Sequence, residues 1–149
     1  MVFTSHMTLA LEEARAAARA GEVPVGAVVI GPDGAVLTRA RNRMRELCDP
    51  TAHAEMLAIR AACAALGSER LAGCDLYVTL EPCTACAGAI SAARIARLYY
   101  GAADPKSGGV AQGPRVFDHA QAHHKPEVYG GIAERVASEL LRDFFAARR

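Results

Sequence analysis

The sequence predicts a three-layer α/β/α sandwich on a five-stranded mixed sheet, folded as one domain over residues 1–149. Three observations carry this. Helical and extended patterns alternate along the chain, which places helices on the faces of a sheet. Hydrophobic residues make up 52% of the 149 residues, enough to bury a core without disulfide support. Pro32-Asp33-Gly34 separates two extended stretches with turn chemistry, which marks a β-hairpin.

Residues 8–20 read as a helix: Met7, Leu11, Ala14 and Ala18 recur at helical spacing, Thr8 is an N-cap and Gly21 a stop. Residues 25–30 are an apolar strand and 35–40 its hairpin partner. Over 39–45, Arg39, Arg41, Arg43 and Arg45 alternate with other residues. If extended, the segment sets four arginines on one side and Asn42 on the other. It is then either a solvated edge whose charges discourage pairing or a phosphate-facing edge with Asn42 aimed at a pocket. Asp49 or Thr51 can cap the next helix, with Pro50 in its first turn. That helix runs over 52–66 and buries Met56, Ile59, Ala62, Cys63 and Leu66. Residues 74–80, rich in β-formers, are the third strand.

A small-residue helix follows over 82–93, then a fourth strand over 95–101. Residues 101–113 are loop, 115–118 a short helical turn and 127–129 a last strand. The final helix, 132–147, stacks Ile132, Val136, Leu140 and Phe144 on one face and repeats Arg135, Arg142 and Arg149 on another.

No apolar run approaches the roughly 20 residues that span a bilayer. Residues 1–8 lack the charged flank and apolar centre of a targeting signal. Five cysteines are an odd count, two of them in a C-x-x-C, and Cys48, Cys63 and Cys74 show no disulfide-like spacing. This points to a reducing compartment, so the chain is expected in the cytoplasm, with no membrane partner. A formal charge of +1 excludes bulk attraction to nucleic acid and leaves only local arginine clusters to hold a polyanion.

The chemistry concentrates in His53-Ala54-Glu55 and Pro82-Cys83-Thr84-Ala85-Cys86. Two cysteines three apart on a helix share one face, and a helix N-terminus favours their thiolates. His53 supplies a third donor from the other helix start. Three protein ligands leave a tetrahedral zinc one open position, the hydrolytic arrangement, whereas structural sites are closed by four. Glu55, two residues from a ligand, is the acid/base beside the bound water. A structural site would need a fourth ligand, and nothing in the spacing of His119, His123 and His124 ties them to the cysteines.

These residues resemble the cytidine-deaminase superfamily of zinc deaminases, whose signature is H-x-E followed by P-C-x-x-C. The likeness is strongest to its bacterial tRNA-specific adenosine deaminases and covers almost the whole chain. It is carried by residues 22–27, 49–55, 76–83 and 86–90, by Tyr100-Gly101-Ala102 with Asp104 and Lys106, and by Asp143-Phe144-Phe145. Ala85 departs from it, being small where relatives carry a larger residue. The resemblance implies a cytidine-deaminase-like fold and a homodimer with one zinc per subunit. It also implies hydrolysis of the wobble adenosine of a tRNA anticodon stem-loop to inosine. His53, Cys83 and Cys86 match the metal ligands, and Glu55 matches the proton shuttle. Asn42 matches a residue that hydrogen-bonds the flipped base, and Val23, Pro24, Ala54, Leu80 and Pro82 would line its pocket. Lys106, Arg148 and Arg149 would contact RNA.

Two other functions compete. A free-base or nucleoside deaminase acting on guanine or cytosine would use the same zinc and Glu55, and near-neutral charge suits it. A non-catalytic zinc or RNA-binding module would have no use for a carboxylate that does not ligate.

Overall fold

The computed structural model describes residues 2–148, with side chains from residue 6 onward. Its elements are α1 (Val2–Arg19), β1 (Gly26–Ile30), β2 (Val36–Arg41), α2 (Met44–Leu47), α3 (Ala54–Leu66), β3 (Asp75–Leu80), α4 (Thr84–Ala93), β4 (Arg97–Ala102), β5 (Glu127–Tyr129) and α5 (Glu134–Ala146), with a 3₁₀ turn at Val116–Asp118. The sheet order is β2-β1-β3-β4-β5. β1 runs antiparallel to β2 and β3, while β3, β4 and β5 are parallel. This is the five-stranded mixed sheet expected.

Strand periodicity sorts the core into two layers. Ala27 and Val29 of β1, with Leu76 and Val78 of β3, pack on Ala54, Ala58 and Ile59 of α3 and on Ala87 and Ile90 of α4. Val28, Ile30 and Tyr77 face the other way, onto Met7, Ala10 and Leu11 of α1 and Ala137 of α5. Because both faces of β1 are covered, its sequence is continuously apolar and does not alternate. Among the described residues, no helix is long and apolar enough to cross a membrane.

Gly26 sits where α1 crosses β1. A Cβ there would collide with the Ala10 carbonyl and with Ala14 N and Glu13 Cβ, both within 2.7 Å. Gly26→Ala is therefore expected to cost about 1–3 kcal/mol through overpacking, read as a lower urea midpoint. An unchanged midpoint would contradict the close helix–sheet approach.

Several boundaries differ from expectation, each for a local reason. α1 already includes the residues before Thr8, so Thr8 lies inside the helix and is no cap. Asp49 Oδ1 accepts hydrogen bonds from the Thr51 N–H and hydroxyl at 2.8 and 2.7 Å. That Asx turn occupies both expected caps, and α3 starts later, at Ala54. Leu66 is exposed at the helix end, and Met56 and Cys63 are only half-buried. Residues 39–45 are not one extended run: β2 ends at Arg41 and α2 begins at Met44. In α5, Val136 is exposed while Ala137 and Phe144 are buried. Steps of four residues advance about 40° around a helix of 3.6 residues per turn, so a stripe of fourth residues drifts off the core.

Candidate active site

Asn42, buried at the end of β2, organises the start of α3. His53 stands at the N-cap position but makes no side-chain cap. Asn42 Oδ1 instead accepts the Ala54 N–H at 2.8 Å, and its Nδ2 donates to the Val23 carbonyl at 3.1 Å. One amide thus satisfies an orphan helix donor and fixes its own orientation. Cys83 is the N-cap residue of α4, and Cys86 lies one turn further on, buried. Both donor-bearing segments are helix N-termini that meet over the same end of the sheet.

The donor atoms converge. His53 Nδ1 lies 3.7 Å from Cys83 Sγ and 3.5 Å from Cys86 Sγ. A tetrahedral zinc with Zn–S about 2.3 Å and Zn–N about 2.0–2.1 Å requires N···S separations of about 3.6 Å. The residues fit that ion, with Nδ1 as the ligating nitrogen. Among the described residues, His53, Cys83 and Cys86 are the one group of three or more potential donors close enough to share a metal. They leave a fourth position open. His119 Nε2 faces the Pro114 carbonyl and His124 Nε2 the Ile95 carbonyl, so those bonds engage both rings elsewhere.

The electrostatics suit the same use. Hydrogen bonds from Cys86 and His53 pull the Cys83 thiol down to about 3. Cys86, facing that thiolate, is pushed upward, and His53 is raised chiefly by its hydrogen bond with Cys83. Without a metal the three groups thus share protons, one thiolate facing one thiol and a proton-holding imidazole, and a bound cation would displace the protons on Cys86 and His53. Burial pushes Glu55 up to about 7.

A raised carboxylate favours the folded state below its unfolded value of about 4.5 and loses that contribution as pH rises through about 7. The full loss is on the order of 3 kcal/mol, at about 1.4 kcal/mol per unit. Relative to Glu55→Gln, the chelator-stripped parent is expected to lose stability over this window, a difference that isolates Glu55 from the Cys83 thiolate, whose lowered value favours folding as pH rises. Equal slopes for parent and variant in urea titrations would contradict it.

A cavity of ≈ 150 Å³ opens at the donors, walled by Val23, Val25, Met44 and Leu80, with Asn42, His53, Glu55, Glu81, Cys83, Asp104 and Ser107 as its polar residues. Of the residues singled out from sequence, Asn42, Val23, Leu80, His53, Glu55 and Cys83 meet on this wall. Pro24, Ala54 and Pro82 do not: all three are buried behind it, and Ala54 acts through its backbone N–H to Asn42. Lys106 and Arg148 line an adjoining cleft of ≈ 680 Å³ with Phe145, which shares Val23, Leu80, Asp104 and Ser107 with the cavity. Arg149 lies outside the described residues.

The arginine segment does not present a free cationic edge. Arg39 pairs with Glu12 and Glu13 at 2.8 and 3.2 Å, and Arg41 and Arg43 both pair with Glu46. Sequence reasoning also missed two buried carboxylates. Glu22 accepts the N–H groups of Arg45 and Glu46 at 3.1 and 2.8 Å, setting the segment after Asn42. Glu81 holds the loop after β4. The one signal available was an acidic residue inside an otherwise apolar run, beside Val23-Pro24-Val25 and after Thr79-Leu80.

A family model for the cytidine and deoxycytidylate deaminase zinc-binding region matches residues 3–102. A tRNA-specific adenosine deaminase of Agrobacterium fabrum is 60% identical over 146 residues, covering 98% of this chain and 95% of its own. A solved structure from studies of A-to-I editing by tRNA:A34 deaminases at the wobble position of transfer RNA superimposes with a TM-score of 0.91 at 60% identity. That superposition covers 93% of this chain and 99% of the other. A guanine deaminase structure from Nitrosomonas europaea aligns with a TM-score of 0.81 at 25% identity, over 96% of this chain and 84% of its own.

Proposed function

Because the chain belongs to the cytidine and deoxycytidylate deaminase zinc-binding family, we infer from its site that it hydrolyses adenosine to inosine at the wobble position of a tRNA anticodon. The observation that carries this reading is the cluster of His53, Cys83 and Cys86 beside a small cavity that His53, Cys83 and Glu55 line. The 60% identity to a tRNA-specific adenosine deaminase over nearly both full lengths supports the substrate.

His53 Nδ1 and the two cysteine sulfurs would hold one zinc per chain. When bound, the zinc would supply Lewis-acid chemistry that makes a water nucleophilic near neutral pH. Glu55 would take one proton from the water that adds to C6 of adenine and deliver it to N1, then carry the proton of the new C6 hydroxyl to the departing amine. Adenosine and water thereby become inosine and ammonia. Burial suits Glu55 to this task, since a shuttle works best with a pKa near the working pH. Asn42, already oriented by Val23 and Ala54, offers its remaining amide hydrogen and oxygen lone pair to the base edge. Val23 and Leu80 supply apolar walls for a base taken out of its stack. In the adjoining cleft, Phe145 offers a stacking surface and Lys106 and Arg148 offer cations, with Arg149 following in the chain. The chain works as one deaminase domain over residues 1–149, as a cytoplasmic homodimer on the anticodon stem-loop.

The guanine deaminase fold match favours a second reading, action on a free base. The two separate cleanly. Zinc-loaded enzyme is expected to form inosine in an anticodon stem-loop transcript, seen after digestion to nucleosides, and to release no ammonia from guanine or cytosine. Ammonia from the free bases without inosine in the transcript would overturn the tRNA reading.

A further inference from the structure

Glu81 is 1% exposed and lies between the end of β3 and Cys83. Its partners are backbone amides of a single loop. Oε1 accepts the Asp104 N–H at 3.0 Å, and Oε2 accepts those of Val110, Ala111 and Gln112 at 3.1, 2.9 and 3.0 Å. Four donors on one group demand two acceptor oxygens. A glutamine would turn an NH₂ toward one set of them.

The loop is pressed onto this carboxylate. A Cβ on Gly108 would fall 2.6 Å from the Glu81 carboxyl carbon and Oε2, and one on Gly109 would fall 2.7 Å from Thr84 N and Cα. The glycine pair is what permits the contact. The same loop is pinned to the ligand-bearing turn, where the Gly109 N–H donates to the Pro82 carbonyl at 2.8 Å and Gly108 bridges Cys83. From this anchor, Asp104 and Ser107 reach the wall of the cavity. The Asp104 side chain is itself held in the loop, accepting the Lys106 and Ser107 N–H groups at 3.2 and 3.0 Å.

We propose that Glu81 is a positioning residue for the deamination: its carboxylate clamps the 104–112 loop on the Pro82–Cys83 turn and so sets the substrate-facing wall formed by Asp104 and Ser107. The proposal rests on reading the cavity as the base pocket. His53 and Glu55 are carried by the start of α3, and Cys86 by α4, outside this clamp; Cys83 is the one ligand it touches, through the backbone bridge to Gly108. Substrate binding should therefore depend on Glu81 more than the chemical step does.

The test is Glu81→Gln in the zinc-loaded enzyme, with steady-state kinetics on the substrate the parent turns over, zinc content, and amide hydrogen exchange. KM is expected to rise about tenfold or more with kcat held within about threefold, the signature of lost binding. Zinc stays bound. Amides of 104–112 exchange about tenfold faster while those of β1 and β3 do not change, a local opening without global loss. Gly108→Ala, which pushes the loop away and leaves Glu81 intact, should give the same pattern and decides the matter if Glu81→Gln does not fold.

Loop exchange and KM within about twofold of the parent would overturn the proposal. So would a fall in kcat at constant KM, or faster exchange throughout the sheet, which marks a purely structural role. Exchange needs no substrate, so a loop that responds in an enzyme inactive on the stem-loop would overturn the tRNA reading and leave the clamp standing.

Discussion

Glu55→Gln is expected to keep its zinc and its fold while losing about 10²–10⁴-fold in turnover, the usual worth of a positioned general acid–base. The substitution preserves shape and keeps a hydrogen-bonding side chain at a fully buried position. Glu55 is outside the donor cluster of His53, Cys83 and Cys86, so the ion has no reason to leave. What the amide cannot do is accept a proton from the water and deliver one to the leaving amine. Zinc per chain, the thermal midpoint and inosine formed per enzyme should be measured on one preparation. Turnover within about tenfold of the parent would remove Glu55 from the proton path.

Cys86→Ala is expected to have the opposite profile: zinc is lost and stability falls with it. Cys86 is buried and one turn from Cys83, so no other donor can take its place without moving α4. A ligand that binds only the folded state stabilises it by about 4 kcal/mol when present at a thousandfold its dissociation constant. For a chain of this size that is on the order of 10 °C in midpoint, at about 2–4 °C per kcal/mol. Parent protein stripped by a chelator should melt close to the variant, which separates the metal's contribution from that of the side chain. Full zinc occupancy in Cys86→Ala would contradict the ligand assignment.

How far the sequence could be read depended on whether the deciding contact was local. The sheet came through because its signals are short-range: the apolar run of β1, the Pro32-Asp33-Gly34 turn and the three residues of β5 all appear where periodicity places them. The convergence of His53 with Cys83 and Cys86 was legible because each donor sits at a helix start whose breakers are visible nearby. Helix α3 started late because Asp49 and Thr51, good caps by type, bond to each other. Arg39 looked free because Glu12 and Glu13 lie on a different element, 27 and 26 residues away. Arg41 and Arg43 meet the nearby Glu46 only because the chain leaves the strand after Arg41 and turns into α2. Pro24 and Pro82 stand next to wall residues in sequence, yet a one-residue step in an extended segment turns a side chain to the opposite face. The buried carboxylates Glu22 and Glu81 were invisible for a related reason. Their partners are backbone N–H groups, which leave no trace in residue type.

The claim on which the rest depends is that three protein ligands hold the zinc and leave one position open beside Glu55. X-ray absorption at the zinc edge of the purified enzyme measures this directly. The expected shell is two sulfurs at about 2.3 Å and two nitrogen or oxygen neighbours at about 2.0–2.1 Å, one from His53 and one from solvent. The second light neighbour should exchange when an inhibitor enters the cavity. A shell of three or four sulfurs, or a fourth ligand supplied by the protein that no inhibitor displaces, would make the site structural and contradict the account.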